Sequence, residues 1–271
     1  MKAPPLRCAA CAGLLGAAAL HAAATAGPHI EDMTSAELRD RIQAGTTTIL
    51  VPIGGTEQNG PHMVLGKHNV RVRLLAAQIA LKLGNAVVAP VIAYVPEGAL
   101  SPPQAHMRFT GTITVPEAAF ESVLESTARS FCLHGLRDVI FLGDHGGYQK
   151  SEERAAQRVN ASAPKGGAPA CRAHALTEYY RAAQEPFFDD LRARGIHTDE
   201  IGTHAGLADT ALALALDPQL VRADVLAHNT PRTEDGVYGD PRRATAELGQ
   251  VGVKRIVEAS VAAIRARIAA R

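Results

Sequence analysis

Along this chain, runs of consecutive apolar residues alternate with stretches in which apolar positions recur every three or four residues. TTTILVPIGG (46–55) is apolar almost without a break, the pattern of a strand covered on both faces. VRVRLLAAQIALKLG (70–84) has helical spacing and closes on Gly84, a favourable helix stop. NAVVAPVIAYV (85–95) predicts a second strand and FTGTITV (109–115) a short third one. PEAAFESVLESTARSFCLHG (116–135) opens with proline in the first turn and ends on glycine, which marks a helix at both ends. DVIFLGDHGG (138–147) is a strand that runs into a polar, glycine-rich loop. QKSEERAAQRVNASA (149–163), HAGLADTALALAL (204–216) and TAELGQVGVKRIVEASVAAIRARI (245–268) predict helices, and PACRAHALTEYY (169–180) another strand. Strand and helix in repeated alternation predict a single-domain α/β fold, a mostly parallel sheet with helices on both faces.

Such sheets bind ligands beyond the carboxyl ends of their strands. Two polar clusters stand there: GGTEQNGPHMVLGKHN after Ile53, and GDHGG after Leu142. A third, THAGLAD, precedes the 204–216 helix.

Composition narrows the setting. Net charge is +1, aromatics are 4 % and tryptophan is missing, so the basic and stacking surface of a nucleic-acid binder is not expected. Residues 1–26 carry Lys2 and Arg7, an alanine-rich apolar run and the small-residue site Ala24-Thr25-Ala26. That is the pattern of a secretory signal peptide cleaved after Ala26, leaving a domain of residues 27–271 that works in the periplasm or is secreted, with no membrane span of its own. Cys132 and Cys171 are then an even pair in an oxidising compartment, to be read as a disulfide or as two buried thiols.

The three polar clusters supply Glu57, His62 and His68, then Asp144 and His145, then His204 and Asp209. Carboxylates and neutral imidazoles together are the donors a borderline divalent metal takes: Zn²⁺ first, with Mn²⁺ or Fe²⁺ as alternatives.

These segments resemble the creatininase (creatinine amidohydrolase) family over residues 46–268. EQNGPHMVLGKH is similar to the family's E-Q-H-G-P-H-L-P-L-x-x-D motif, GDHGGY to its N-G-H motif, HAGLADT to its H-A-G-x-x-E-T motif, and RFTGTITV to its F-P-G-T-I strand. The resemblance implies an α/β fold, a dinuclear metal centre, a homo-oligomer such as a hexamer, and hydrolysis of C–N bonds in small amides. Carried across residue by residue, it implies a metal on Glu57, His68 and His145. The family's bridging aspartate is His68 here, and its remaining second-metal ligands fall on Asn59 and Gly147. An imidazole with one lone pair does not bridge two ions, so the expectation is one divalent metal per chain. Asp209 or His204 is expected to take the proton of the attacking water, with Asn59, His62, Asp144 and His106 around the site.

The function expected is therefore hydrolysis of an amide or cyclic amide in a small-molecule substrate. Creatinine itself is not expected, because the family's pocket tryptophans have no counterpart in a chain without tryptophan. The alternative is a non-catalytic periplasmic protein on the same fold that binds a metal or a small ligand.

Overall fold

A computed structural model describes residues 27–162, 171–228 and 230–270. The expected signal peptide (1–26) and the glycine-rich turn at 163–170 lie outside the described residues. Four strands form one sheet: β1 (Thr48–Ile53), β2 (Ala86–Val88), β3 (Asp138–Gly143) and β4 (Arg172–Ala175). Their order is β2-β1-β3-β4 and every pairing is parallel. β1 and β3 are buried along their whole length, which is why both appear as unbroken apolar runs.

Side chains alternate across the sheet. Leu50, Val88, Ile140 and Leu142 face one apolar cluster; Ile49, Val51, Ile53, Val87, Val139 and Phe141 face the other. The second face is covered by α3 (Glu117–Leu133) and α4 (Gln149–Ala161), with the N-terminal α1 (Ser35–Gln43) packed at its margin. The first is covered by α2 (Lys67–Leu83), α5 (Thr177–Ala182), α6 (Glu185–Arg192), α8 (Leu207–Leu216) and α10 (Ala246–Ala269). Short α7 (Thr198–Ile201) and α9 (Ala223–His228) flank α8 in the chain. This is the α/β architecture expected, with helices on both faces. Among the described residues, no helix is long and apolar enough to cross a membrane.

Four local expectations change. The strand expected over 85–95 ends at Val88, because Pro90 has no amide proton to continue a ladder. Residues 109–115 form no strand; isolated bonds hold them beside the site, Ile113 N–H to Thr56 O and Val115 N–H to Val95 O along the backbone, and the Thr112 and Thr114 hydroxyls accepting from the amides of Gln58 and Glu97. The run 169–180 splits into β4 and α5, and α2 begins at Lys67, one turn earlier than its apolar spacing suggests. Cys132 in α3 and Cys171, just ahead of β4, are joined by a disulfide, with Cα atoms 5.5 Å apart.

Candidate metal centre

The loop leaving β1 turns back beneath itself to reach α2, and its side chains hold it there. Asn59 Nδ2 donates to Glu57 O (2.9 Å) and Val64 O (3.0 Å), so Asn59 shapes the loop. His62 is anchored away from the centre, its Nε2 3.0 Å from Thr210 Oγ1. Across the strand ends, the Tyr148 hydroxyl donates toward Ile53 O (2.9 Å) and Gly54 O (2.6 Å) and accepts from the amides of Asp144 and His145 (both 3.1 Å). One phenol thus fixes the end of β1 against the end of β3.

Glu57 is fully buried at the meeting point. Its Oε1 accepts from His68 Nε2 at 2.7 Å, while its Oε2 has no hydrogen-bond donor. Oε2 faces two imidazoles instead: His106 Nδ1 at 3.1 Å and His145 Nε2 at 3.8 Å. Among the described residues, Glu57, His106 and His145 offer ligand atoms that lie within 4.8 Å of one another. Gln58 Nε2 lies 3.2 Å from His106 Nδ1 and 3.1 Å from His204 Nε2 and donates to Gly236 O (3.3 Å), and Gln58 Oε1 is fixed by Gly60 N–H (2.9 Å). His106 Nδ1 is thus pointed at a carboxylate oxygen that has no hydrogen-bond donor.

Two electron-rich atoms that close, out of water, need a cation or proton between them. Tetrahedral zinc with bonds near 2.0–2.2 Å spaces its donors by roughly 3.3–3.6 Å, so this set fits a divalent metal without large movement. Burial works against ionising Glu57, but the His68 hydrogen bond, together with the charges of His68, His145 and Lys67, outweighs it and holds the carboxyl below its usual range. Burial lowers His145 to about 3 and also lowers His106, so both imidazoles are neutral at pH 7, the form that ligates metal.

His68 takes a different position from the one expected. As the second residue of α2, it lies between two carboxylates, with Nε2 on Glu57 Oε1 and Nδ1 2.6 Å from Asp144 Oδ2. Nε2 is taken up by Glu57, and Nδ1 lies between Asp144 Oδ2 and Arg71 Nη2 (3.1 Å), so both nitrogens are engaged in this network. Beside Glu57 and His145, His106 and not His68 completes the group whose ligand atoms lie close enough together to hold a metal. Asp144 also accepts from Arg71 Nε (2.7 Å) and the Tyr179 hydroxyl (2.7 Å), making it the far anchor of the same network.

Asp209 also differs. Its carboxylate is held by Lys67 Nζ (3.1 Å), Arg71 Nη1 (2.8 Å) and the Ala205 amide (3.0 Å). Burial opposes its ionisation, but Lys67 and Arg71 overcome this and hold its carboxyl well below the usual range, with both oxygens engaged by donors. What it holds is a strained turn. Ala205 has φ +52° and Ala105 φ +50°, and each adjoins a site histidine, His204 or His106. Left-handed backbone at a residue with a side chain costs roughly 1–3 kcal/mol and persists where surrounding bonds enforce it.

His204 is brought into the centre. Its Nε2 lies 2.9 Å from the carbonyl of Gln58 and 3.1 Å from the Gln58 side-chain nitrogen, and its Nδ1 is 3.8 Å from Glu57 Oε1. Burial and the charge of Lys67 lower His204 to about 4, so it is neutral at pH 7.

A cavity of about 470 Å³ opens beside the centre, lined by Glu97, His106, Thr114, Pro116, Glu117 and His145 among others. Sequence reasoning missed Glu97, Lys67 and Arg71 and gave His106 only a peripheral place. His106 carried one signal, its position three residues ahead of Phe109 in RFTGTITV. Glu97, after Pro96 in a loop, carried none.

Comparison with known proteins gives the family and the fold. A family model described as creatinine amidohydrolase matches residues 31–264. A 3-dehydro-scyllo-inosose hydrolase from Thermotoga maritima is 28 % identical over 207 residues, 76 % of this chain and 61 % of that protein, so the match spans less than two thirds of that relative's length. A mycofactocin precursor peptide peptidase from Mycolicibacterium smegmatis is 28 % identical over 209 residues, 74 % of this chain and 78 % of that protein. A solved manganese form of creatininase superposes with a TM-score of 0.70 at 22 % identity, covering 89 % of this chain and 98 % of that one, a likeness of fold. The family match spans nearly the whole described chain, β1 to α10, and so the chain belongs to the creatininase family.

Proposed function

We propose that this chain is a metal-dependent amidohydrolase that cleaves the C–N bond of an amide or cyclic amide in a small molecule, with one divalent metal per chain on Glu57, His106 and His145. The observation that carries the reading is Glu57 Oε2: buried, without a donor, and faced by two histidine nitrogens. The mixed carboxylate and imidazole set favours zinc, with manganese or iron also within its chemistry. Hydrolase and peptidase relatives support the reaction class.

When bound, the metal supplies Lewis acidity toward a carbonyl and makes water acidic enough to attack at neutral pH. The chain supplies the rest. His68 orients Glu57 from behind, through Asp144, Arg71 and Tyr179. His204 Nδ1 accepts a proton from the attacking water and returns it to the leaving nitrogen, and Glu57, 3.8 Å away, stabilises the imidazolium in between. Asp209 holds the Ala205 turn that aims His204. The cavity beside His106 and His145 receives the substrate.

The same reading places the mature chain, residues 27–271, in the periplasm or outside the cell as a homo-oligomer. The Cys132–Cys171 disulfide supports the oxidising compartment. The test is a panel of small amides, lactams and short peptides, assayed with zinc-loaded, manganese-loaded and chelator-stripped protein. Turnover of at least one substrate that is lost on chelation and restored by metal is expected. Metal uptake with no turnover of any of them would leave a binding protein on this fold.

A further inference from the structure

The Glu97 side chain is fully buried, and neither carboxylate oxygen has a hydrogen-bond partner. Space is made for it: a Cβ on Gly55, whose φ is +148°, would stand 2.6 Å from Glu97 Oε1. A buried acid without partners costs stability, so its retention asks for a second state in which it is used. Its Oε2 is 3.7 Å from His145 Nδ1, while the opposite nitrogen, Nε2, faces Glu57 Oε2 at 3.8 Å. Glu57 and Glu97 thus flank one imidazole along its two nitrogens.

In the structure, the Gly147 amide donates to His145 Nδ1 at 3.2 Å, which places the ring proton on Nε2. Ligation through Nε2 requires the other tautomer, with the proton on Nδ1 and an acceptor facing it. Asp144 is engaged with His68, Arg71 and Tyr179, and Glu117 with Arg154. Glu97 is not, and a carboxyl keeps an acceptor oxygen whether or not it is ionised. A shift of roughly 0.8 Å brings 3.7 Å to a hydrogen bond of about 2.9 Å.

We infer that Glu97 is a positioning residue for the metal centre: it accepts from His145 Nδ1–H and so holds His145 in the tautomer and orientation that ligate through Nε2. The inference rests on the proposed metal site. Its test is zinc affinity, measured by competition with a chromophoric chelator, together with the melting temperature of the metal-stripped chain, for wild type, Glu97→Gln and Glu97→Leu. Zinc binding should weaken about 10–100-fold in Glu97→Leu and less in Glu97→Gln, whose amide oxygen still accepts. Metal-stripped Glu97→Leu should melt at or above the wild-type temperature, because an unpartnered acid has been removed. Variants that bind zinc as tightly as wild type overturn the inference while leaving the metal site standing. Lower melting of the stripped variants in step with weaker binding also overturns it, since that is the mark of a packing role. A wild-type chain that takes up no zinc overturns the metal site and this inference together.

Discussion

His68 stands between Glu57 and Asp144, 2.7 Å from one carboxylate and 2.6 Å from the other. Removing it leaves two buried acids facing each other across a void. His68→Ala should destabilise the fold by about 1–3 kcal/mol and weaken metal binding about 10–100-fold without abolishing it. His106→Ala and His145→Ala should abolish it. Equal loss from all three, measured by metal titration, would restore His68 to the ligand set.

Asp209 and His204 should separate in the same way. Asp209→Asn strands Lys67, whose side chain is fully buried, and should cost about 3 kcal/mol in denaturant unfolding, with turnover lost alongside the fold. His204→Gln should fold and bind metal nearly as wild type but lose most of kcat. If Asp209→Asn is stable yet inactive, Asp209 is the base.

Glu152 in α4 is fully buried against Gly143, its oxygens without partners, and burial pushes its carboxyl well above the usual range. Glu97 is pushed up to about 9 by burial and by Glu57. Such groups are protonated in the folded chain and ionised in the unfolded one at neutral pH. Their stabilisation is complete below the ordinary carboxylate range near 4.5 and is lost as pH rises toward the folded value. Metal-stripped protein should therefore lose stability between pH 7 and 9, by about 1.4 kcal/mol per pH unit for each acid still protonated. Glu152→Gln should remove one such increment from the slope of urea unfolding against pH. An unchanged slope would mean that Glu152 ionises in the fold.

The disulfide closes a loop 39 residues long in sequence, tying α3 to the entry of β4, far from the metal centre. Cys132→Ser with Cys171→Ser should lower stability by about 2–4 kcal/mol and leave metal affinity unchanged. A change in metal affinity would show that β4 transmits strain to the end of β3.

The buried strands and long helices were legible because burial on both faces and amphipathic spacing leave direct periodic traces in the sequence. That Glu57, His145 and His204 come together was legible because they sit at strand ends or in a turn before a helix, where parallel sheets gather polar side chains. The place of His106 beside Glu57 and His145, with His68 turned toward Asp144, was not. It depends on α2 starting at Lys67, which puts Lys67, His68 and Arg71 on one helical face and directs His68 into a charge network with Asp144. Asp209 looked like a free first-turn acid because its two cations lie about 140 residues earlier in the chain. Glu97 is defined by the lack of partners, which only three dimensions reveal.

The central claim is the identity of the ligands, and anomalous scattering from a zinc-soaked crystal tests it directly. One anomalous peak per chain is predicted, about 2.0–2.2 Å from Glu57 Oε2, His106 Nδ1 and His145 Nε2, with His68 still between Glu57 and Asp144. A peak ligated by His68, two peaks per chain, or no peak at Glu57 would contradict it.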